Sequence, residues 1–330
     1  MKVTIYDVAK KAGVSIATVS KVINNTGNMR ETTRKKIIET IEEMNYRPNQ
    51  MASALSGKGT KTFGLLVPDI SNPFFSAIAR RIEDCAYEQG MTVIICSTDE
   101  NAEKEKKYVD VLQGKQVDGL ILASTFNDKG VFHELIEGNI PLVMLAYDDS
   151  MLDISNVSVD DFKGGYIATS HLVTKGHHNI AMIAENTQSS RLRIFGYHEA
   201  HAVQDIPTND KYIFSTIASI ENGKKCFEEI FQQTDIDRPT AIFACNDLLA
   251  IGVIQGATEK GIRIPEDLAV VGFDNTILAS TTVPGLTTIS QPINEMGKKI
   301  VDVLIEEIKG KKDVKKRILF NPELIVRGTT

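Results

Sequence analysis

The sequence predicts an N-terminal all-α head containing a helix-turn-helix, a short hinge helix, and an α/β body of two doubly wound parallel-sheet subdomains. Three observations carry that expectation. Residues 1–61 hold 11 Lys/Arg against 5 Asp/Glu and the remainder holds 26 against 38, although the whole chain has a net charge of −6. The front of the chain is built of short apolar-periodic segments punctuated by glycine. Beyond Thr62, apolar runs alternate with amphipathic stretches in two successive series. A chain of 330 residues with 42% hydrophobic and 24% charged residues can fill more than one packed core, which excludes a disordered tail or a fibre.

In the head, residues 7–12 read as a helix closed by Gly13, whose access to positive φ suits a tight turn. Ser15 is placed to cap a second helix over residues 16–23 by accepting a backbone N–H from Thr18 or its neighbour. Val19, Val22 and Ile23 give that helix an apolar side. The polar loop 24–28 leads into an amphipathic helix over residues 32–44, with Ile37, Ile38, Ile41 and Met44 at helical spacing. Two helices separated by Gly13-Val14-Ser15 and backed by a third form the helix-turn-helix pattern. Pro48 then breaks the chain, Asn49 can cap a short helix over residues 50–56, and Gly57 closes it ahead of a basic linker, 58–61. A basic head on an acidic body implies that the head alone meets a polyanion.

In the body, residues 63–67, 92–96, 119–122 and 142–145 read as buried strands, with helices over 74–89 and 103–113 between the first three. The second series reads as strands 180–184, 212–214, 241–244 and 268–272, alternating with helices over 191–203, 220–231 and 247–259. Ligands in such sheets sit beyond the carboxyl ends of the strands, so two facing sheets imply a cleft.

Catalytic signatures are missing. No G-x-G-x-x-G follows a strand, and Ser56-Gly57-Lys58-Gly59-Thr60 lacks both the preceding Gly and the following Ser/Thr of a P-loop. His198-Glu199-Ala200-His201 spaces its histidines at i and i+3 rather than the i and i+4 of a zinc helix. Cys85, Cys96, Cys226 and Cys245 form no C-x-x-C pair and fit idle thiols in a reducing compartment. The sequence therefore predicts no enzyme, no metal and no cofactor. Without an apolar stretch of signal-peptide or membrane-spanning length, it also predicts a cytoplasmic protein with no membrane partner.

Thr4-Ile5-Tyr6-Asp7-Val8-Ala9, Ala12-Gly13-Val14-Ser15, Thr18-Val19-Ser20 and Asn45-Tyr46-Arg47-Pro48-Asn49 resemble the head of the LacI/GalR family of bacterial transcription regulators. The likeness continues through Asp69-Ile70-Ser71-Asn72-Pro73-Phe74-Phe75, Val117-Asp118-Gly119, Arg193 with Gly196-Tyr197, Asn246-Asp247, Val271-Gly272-Phe273-Asp274 and Gln291-Pro292, and so spans essentially the whole chain. The resemblance implies a periplasmic-binding-protein-like body and a homodimeric repressor on pseudo-palindromic double-stranded operator DNA. Its operator affinity would be set by a sugar or sugar-acid effector between the lobes, and its target would be a carbohydrate or sugar-acid utilisation operon. It implies domains 1–48 (DNA-binding), 49–61 (hinge and linker) and 62–330 (effector and dimerisation), the last split into about 62–157 plus 290–319 and 158–289 plus 320–330.

Carried residue by residue, the resemblance puts Ile16, Ala17 and Lys21 on major-groove base edges and Leu55 as a minor-groove wedge. Tyr6, Ser15, Thr18, Ser20 and Asn24 would hold phosphates, while Phe74, Phe75, Arg193, Asn246, Asp274 and Gln291 would line the effector cleft. Two departures matter. Lys21 stands where the family usually has Arg, offering a point charge in place of a planar donor fork. Ala146 stands where Asp commonly follows the strand, and losing that negative charge would favour an acidic sugar. Asn294 and Asp302 replace the Tyr and Arg with which a catabolite-regulating relative docks a phosphorylated phosphocarrier protein, so that partner is not expected.

Overall fold

The computed structural model describes residues 3–23, 26–47, 59–123, 126–138, 140–147, 152–233, 237–310 and 315–330. Asn24, Leu55 and the expected hinge helix over residues 50–56 lie outside the described residues. The chain divides into two units, Met1–Thr60 and Lys61–Thr330.

The first unit is built on α1 (Ile5–Ala12), α2 (Ile16–Ile23) and α3 (Glu31–Glu43). Thr4 donates from both its backbone N and its hydroxyl to the Asp7 carboxylate, at 2.8 and 2.7 Å, which fixes the start of α1. Gly13 ends that helix at φ 68°. The Ser15 hydroxyl accepts from Thr18 N at 3.2 Å, opening α2 as its sequence predicts. Val8, Ala9, Ala12, Val19, Val22 and Ile37 are the buried core of the head. Ile38, expected on the apolar side of α3, is exposed instead: one residue on from Ile37 it is turned about 100° around the helix, off the core face.

The second unit carries two six-stranded sheets. The first has order β11-β5-β4-β3-β1-β2, from β1 (Thr62–Val67), β2 (Thr92–Ser97), β3 (Gly119–Leu122), β4 (Leu142–Leu145), β5 (Ser155–Val159) and β11 (Arg317–Phe320). The second has order β12-β10-β9-β8-β6-β7, from β6 (Ile180–Ala184), β7 (Ile213–Ser215), β8 (Ala241–Ala244), β9 (Ala269–Asp274), β10 (Thr287–Ser290) and β12 (Glu323–Ile325). All neighbours run parallel except β12, which is antiparallel to β10. Helices α4 (Pro73–Glu88), α5 (Ala102–Gly114), α6 (Lys129–Glu137) and α11 (Ile293–Ile308) supply residues to the first lobe's cores. Helices α7 (Asp161–Thr174), α8 (Gln188–Ala202), α9 (Ile220–Gln232) and α10 (Asp247–Glu259) do so in the second.

The chain passes between the lobes three times: after β5, after β10 and between β11 and β12. The expected subdomain boundaries shift accordingly. β5 continues to Val159 and β11 to Phe320 within the first sheet, while Ser290 is still paired to Asp274 in the second. Strand pairing holds these residues in their sheets, and the change of lobe waits for the next unpaired residue. Among the described residues, no helix is long and apolar enough to cross a membrane.

Candidate functional site

Burial sorts the residues of α2. Val19 and Val22 are buried in the head core, whereas Ile16, Ala17 and Lys21 are exposed together on the other side. The core seats of this short helix are already taken, so the apolar Ile16 and Ala17 form an outward surface rather than packing. Tyr6 is 67% exposed on α1. Ser15 and Thr18 pair with each other through their hydroxyls at 2.8 Å, and Ser20 is half-buried on α2.

The residues expected to line a cleft divide by lobe. Phe74 and Phe75 open α4, where Asn72 accepts from Phe74 N at 3.0 Å and Pro73 presets the first turn. Their rings meet edge to face at 5.2 Å. Phe74 is part of the first lobe's core, leaving half-buried Phe75 as the ring with an open edge. Ala146, just past β4, sits at φ 54°, a conformation that Asp tolerates better than Ala.

In the second lobe, the ends of β6, β8, β9 and β10 bring the remaining residues together. Arg193, on α8, donates through Nε to Asp161 Oδ1 at 2.8 Å and pairs again through its second terminal nitrogen at 2.7 Å. Its other terminal nitrogen donates to the Cys245 carbonyl, and the guanidinium lies 3.5 Å from the Phe273 ring centroid. Asn246 caps α10 by accepting from Leu249 N at 2.9 Å and donates to Glu185 at 2.8 Å. Gln291 Nε2 donates to Asp274 Oδ1 at 2.7 Å, while Gln291 Oε1 is buried with no partner among the described residues. Asp274 itself is held at φ 105° and Asn275 follows at φ 52°, so backbone strain is concentrated at this strand end.

Two members of this cluster escaped the sequence reading. Asp161 follows a strand too polar to be recognised, and it adjoins Asp160, whose carboxylate caps α7 by accepting from Lys163 N at 2.9 Å. Glu185 follows β6, and only its position after an apolar run signals it. Two acids in succession after a strand, one for the cap and one for a basic partner, would have been the usable clue.

The electrostatics follow from burial. Desolvation pushes the Asp161 carboxyl above its ordinary range, with the Arg193 charge and hydrogen bond opposing. Glu185 is also pushed up by burial against the pull of Asn246 and Arg193, and Glu100, from the loop after β2, pushes it further. Burial drives Asp274 well above the carboxylate range, with Arg193 opposing and the neighbouring Asp247 and Glu185 adding to the rise. A carboxyl that binds its proton more tightly when folded lends stability at low pH and loses it as pH rises through the folded pKa. Asp274→Asn, a neutral isostere, is therefore expected to match wild type near pH 4 and exceed it in stability near pH 7. Urea unfolding at the two pH values measures this, and equal differences at both would refute it.

A hollow of about 390 Å³ lined by Arg238, Pro239, Thr240, Gly261, Ile262 and Asp267 contains none of the predicted residues. It lies at the starts of β8 and β9, the wrong end of a parallel sheet for ligand binding. His198 and His201, spaced wrongly for zinc, bond to the Thr208 hydroxyl and the Tyr197 carbonyl.

A basic helix-turn-helix unit and a two-lobed α/β unit, with a buried polar cluster at its strand ends, define an effector-domain transcription regulator. The chain belongs to the lacI family of bacterial regulatory proteins. The profile described as "Bacterial regulatory proteins, lacI family" matches residues 4–49, and "Periplasmic binding protein-like domain" matches residues 169–330. HTH-type transcriptional regulator DegA of Bacillus subtilis (strain 168) is 45% identical over 335 residues, covering 100% of this chain and 98% of the relative. The Lac repressor dimer bound to operator and the anti-inducer ONPF has a TM-score of 0.88 at 31% identity, covering 100% of this chain and 99% of that one. A LacI family transcriptional regulator from Enterococcus faecium, with bound ribose, has a TM-score of 0.73 at 33% identity, covering 82% of this chain and 98% of its own. Members of the family regulate transcription and are not enzymes; this chain is a DNA-binding regulator of that kind.

Proposed function

We propose that the chain is a repressor that binds a pseudo-palindromic operator as a homodimer, one head per half-site. A neutral polyhydroxylated effector of the sugar class, seated between the lobes, controls that binding and thereby a carbohydrate-utilisation operon. One observation supports the effector class above all: Arg193, the cation placed to meet a ligand carboxylate, is already neutralised by Asp161. Around it, Glu185, Asp274 and the unpartnered Gln291 carbonyl oxygen offer hydrogen-bonding groups, with burial favouring the protonated form of both carboxyls. Such a cluster suits ligand hydroxyls, and with Arg193 already paired it offers a ligand carboxylate little to bind. The acidic sugar favoured by Ala146 alone therefore gives way, because removing one acid supplies no cation and Arg193 is already paired. The ribose-bound relative supports the same class. Thermal unfolding in the presence of neutral pentoses and hexoses, beside the matching aldonic and uronic acids, tests it. Neutral sugars should raise the midpoint; stabilisation by the acids alone would overturn the reading.

On the DNA side, Ile16, Ala17 and Lys21 read bases, while Tyr6, Ser15, Thr18, Ser20 and Asn24 hold phosphates and Leu55 enters the minor groove. Lys21→Ala is expected to weaken binding to the preferred duplex by about 1–3 kcal/mol and to relax base choice. Binding should fall steeply with salt as phosphate contacts release counterions. Titrating the variant on preferred and random duplexes separates the roles, since equal losses on both would make Lys21 a phosphate contact.

A further inference from the structure

We infer that Gly27 is a positioning residue for Lys21, holding the lysine stem so that its ammonium meets one base edge. The inference rests on reading α2 as the base-reading helix and goes beyond it in naming what aims its lysine. Thr26 N donates to the Lys21 carbonyl at 2.9 Å, so the loop after α2 is tied to the lysine's own backbone. Gly27 follows at φ +78°, and a Cβ built there would lie 3.3 Å from Lys21 Cδ, 3.7 Å from Cε and 3.8 Å from Cγ. Consecutive methylenes of the lysine thus lie along the bare glycine backbone.

An exposed lysine normally samples many rotamers, and an ammonium is a point charge without a fixed fork, so Lys21 alone would discriminate bases poorly. Resting the stem on Gly27 removes much of that freedom before DNA arrives and limits the directions the ammonium can take. A methyl group at position 27 would press on Cδ and shift the stem by a few tenths of an ångström. The left-handed backbone adds a second reason for glycine, and the two are separable. Gly13 has a similar φ of +68°, yet a Cβ there would meet only Lys36 Nζ at 3.9 Å, away from Lys21.

The test uses the full chain and a pool of duplexes with randomised sequence, in which the bound fraction is sequenced. Wild type should enrich a symmetric pattern, and Lys21→Ala should flatten one base pair in each half-site. Gly27→Ala should reduce preference at that same pair by about tenfold and spare the others. Gly27→Asn adds a Cβ with less backbone strain and should do the same, which keeps the test open should the alanine variant fold poorly. Gly13→Ala should lower affinity evenly without changing the pattern. If both Gly27 variants keep the wild-type preference at the Lys21 pair, or lose all positions evenly as Gly13→Ala does, the positioning role is wrong. A wild-type chain that enriches no sequence would remove the base-reading assignment and this inference together.

Discussion

Arg193→Ala is expected to lower the stability of the second lobe by about 3–5 kcal/mol and to abolish the effector response in the same variant. Arg193 and Asp161 have side chains only 7% exposed, so each is the other's main compensation for lost solvation. Removing the arginine strands a buried carboxylate, empties the face of Phe273 and leaves the Cys245 carbonyl short of a donor. Asp161 can limit the loss by taking up a proton, because burial already pushes its carboxyl upward. The single variants should therefore each cost more than the Asp161→Ala, Arg193→Leu pair, which replaces both charges. Urea unfolding around the double-mutant cycle reads that coupling. If Arg193→Ala unfolds within 1 kcal/mol of wild type, the buried pair is not what holds this cluster together. Calorimetry with a neutral sugar that stabilises wild type gives the second readout.

Gly196→Ala is expected to cost about 3 kcal/mol, at the upper end of overpacking. Helices α7 and α8 cross where Gly165 and Gly196 face each other's backbones. A Cβ at Gly196 would lie 2.1 Å from the Phe162 carbonyl oxygen and 2.5 Å from Tyr166 N, and one at Gly165 would lie 2.2 Å from the Arg193 carbonyl oxygen. These obstacles are main-chain atoms of two packed helices, so the helices must separate. Separation moves Arg193 on α8 away from Asp161 on α7, so effector binding should fall together with the thermal midpoint. Gly114→Ala is the control: a Cβ there meets nothing within 4 Å, and the change should be neutral or stabilise by about 0.5–1 kcal/mol. Comparable destabilisation by both substitutions would show that the crossing is looser than described.

What was legible in the sequence followed the chemistry of its elements. The wholly apolar runs at β6 and β8 declared themselves because buried parallel strands have no polar face. The short head helices were bounded by Gly13 and Ser15, residues whose backbone roles are local. Strand β5 was hidden because Ser155, Asn156 and Ser158 are buried in it despite their polarity. Ser155 is satisfied from afar, donating to Glu307 at 2.6 Å and accepting from Lys316 N at 3.0 Å, and no local pattern announces such partners. Candidate cleft residues could be named, but the state of Arg193 could not. Its neutral pairing depends on Asp161, thirty-two positions away in sequence, and only the folded lobe brings them into contact.

The threefold passage between lobes also governs the order in which this chain can fold as it is made. The head's core residues all lie at or before Ile37, with supporting contacts reaching Tyr46, so it can pack as soon as that short stretch leaves the ribosome. The body has no such early milestone. Its first sheet stays unfinished until Arg317 arrives to pair with Asn156, and its second until Ile325 reaches Thr288. At about 5–20 residues per second, that leaves on the order of a quarter of a minute to a minute in which a finished head is tethered to an unfinished body. Once made, β5 stays an unpaired edge and β10 joins it only late in that interval, the kind of surface that attracts chaperones or stray strands. A truncated product ending within α11 would thus carry a folded DNA-binding head while lacking a complete sheet in either lobe.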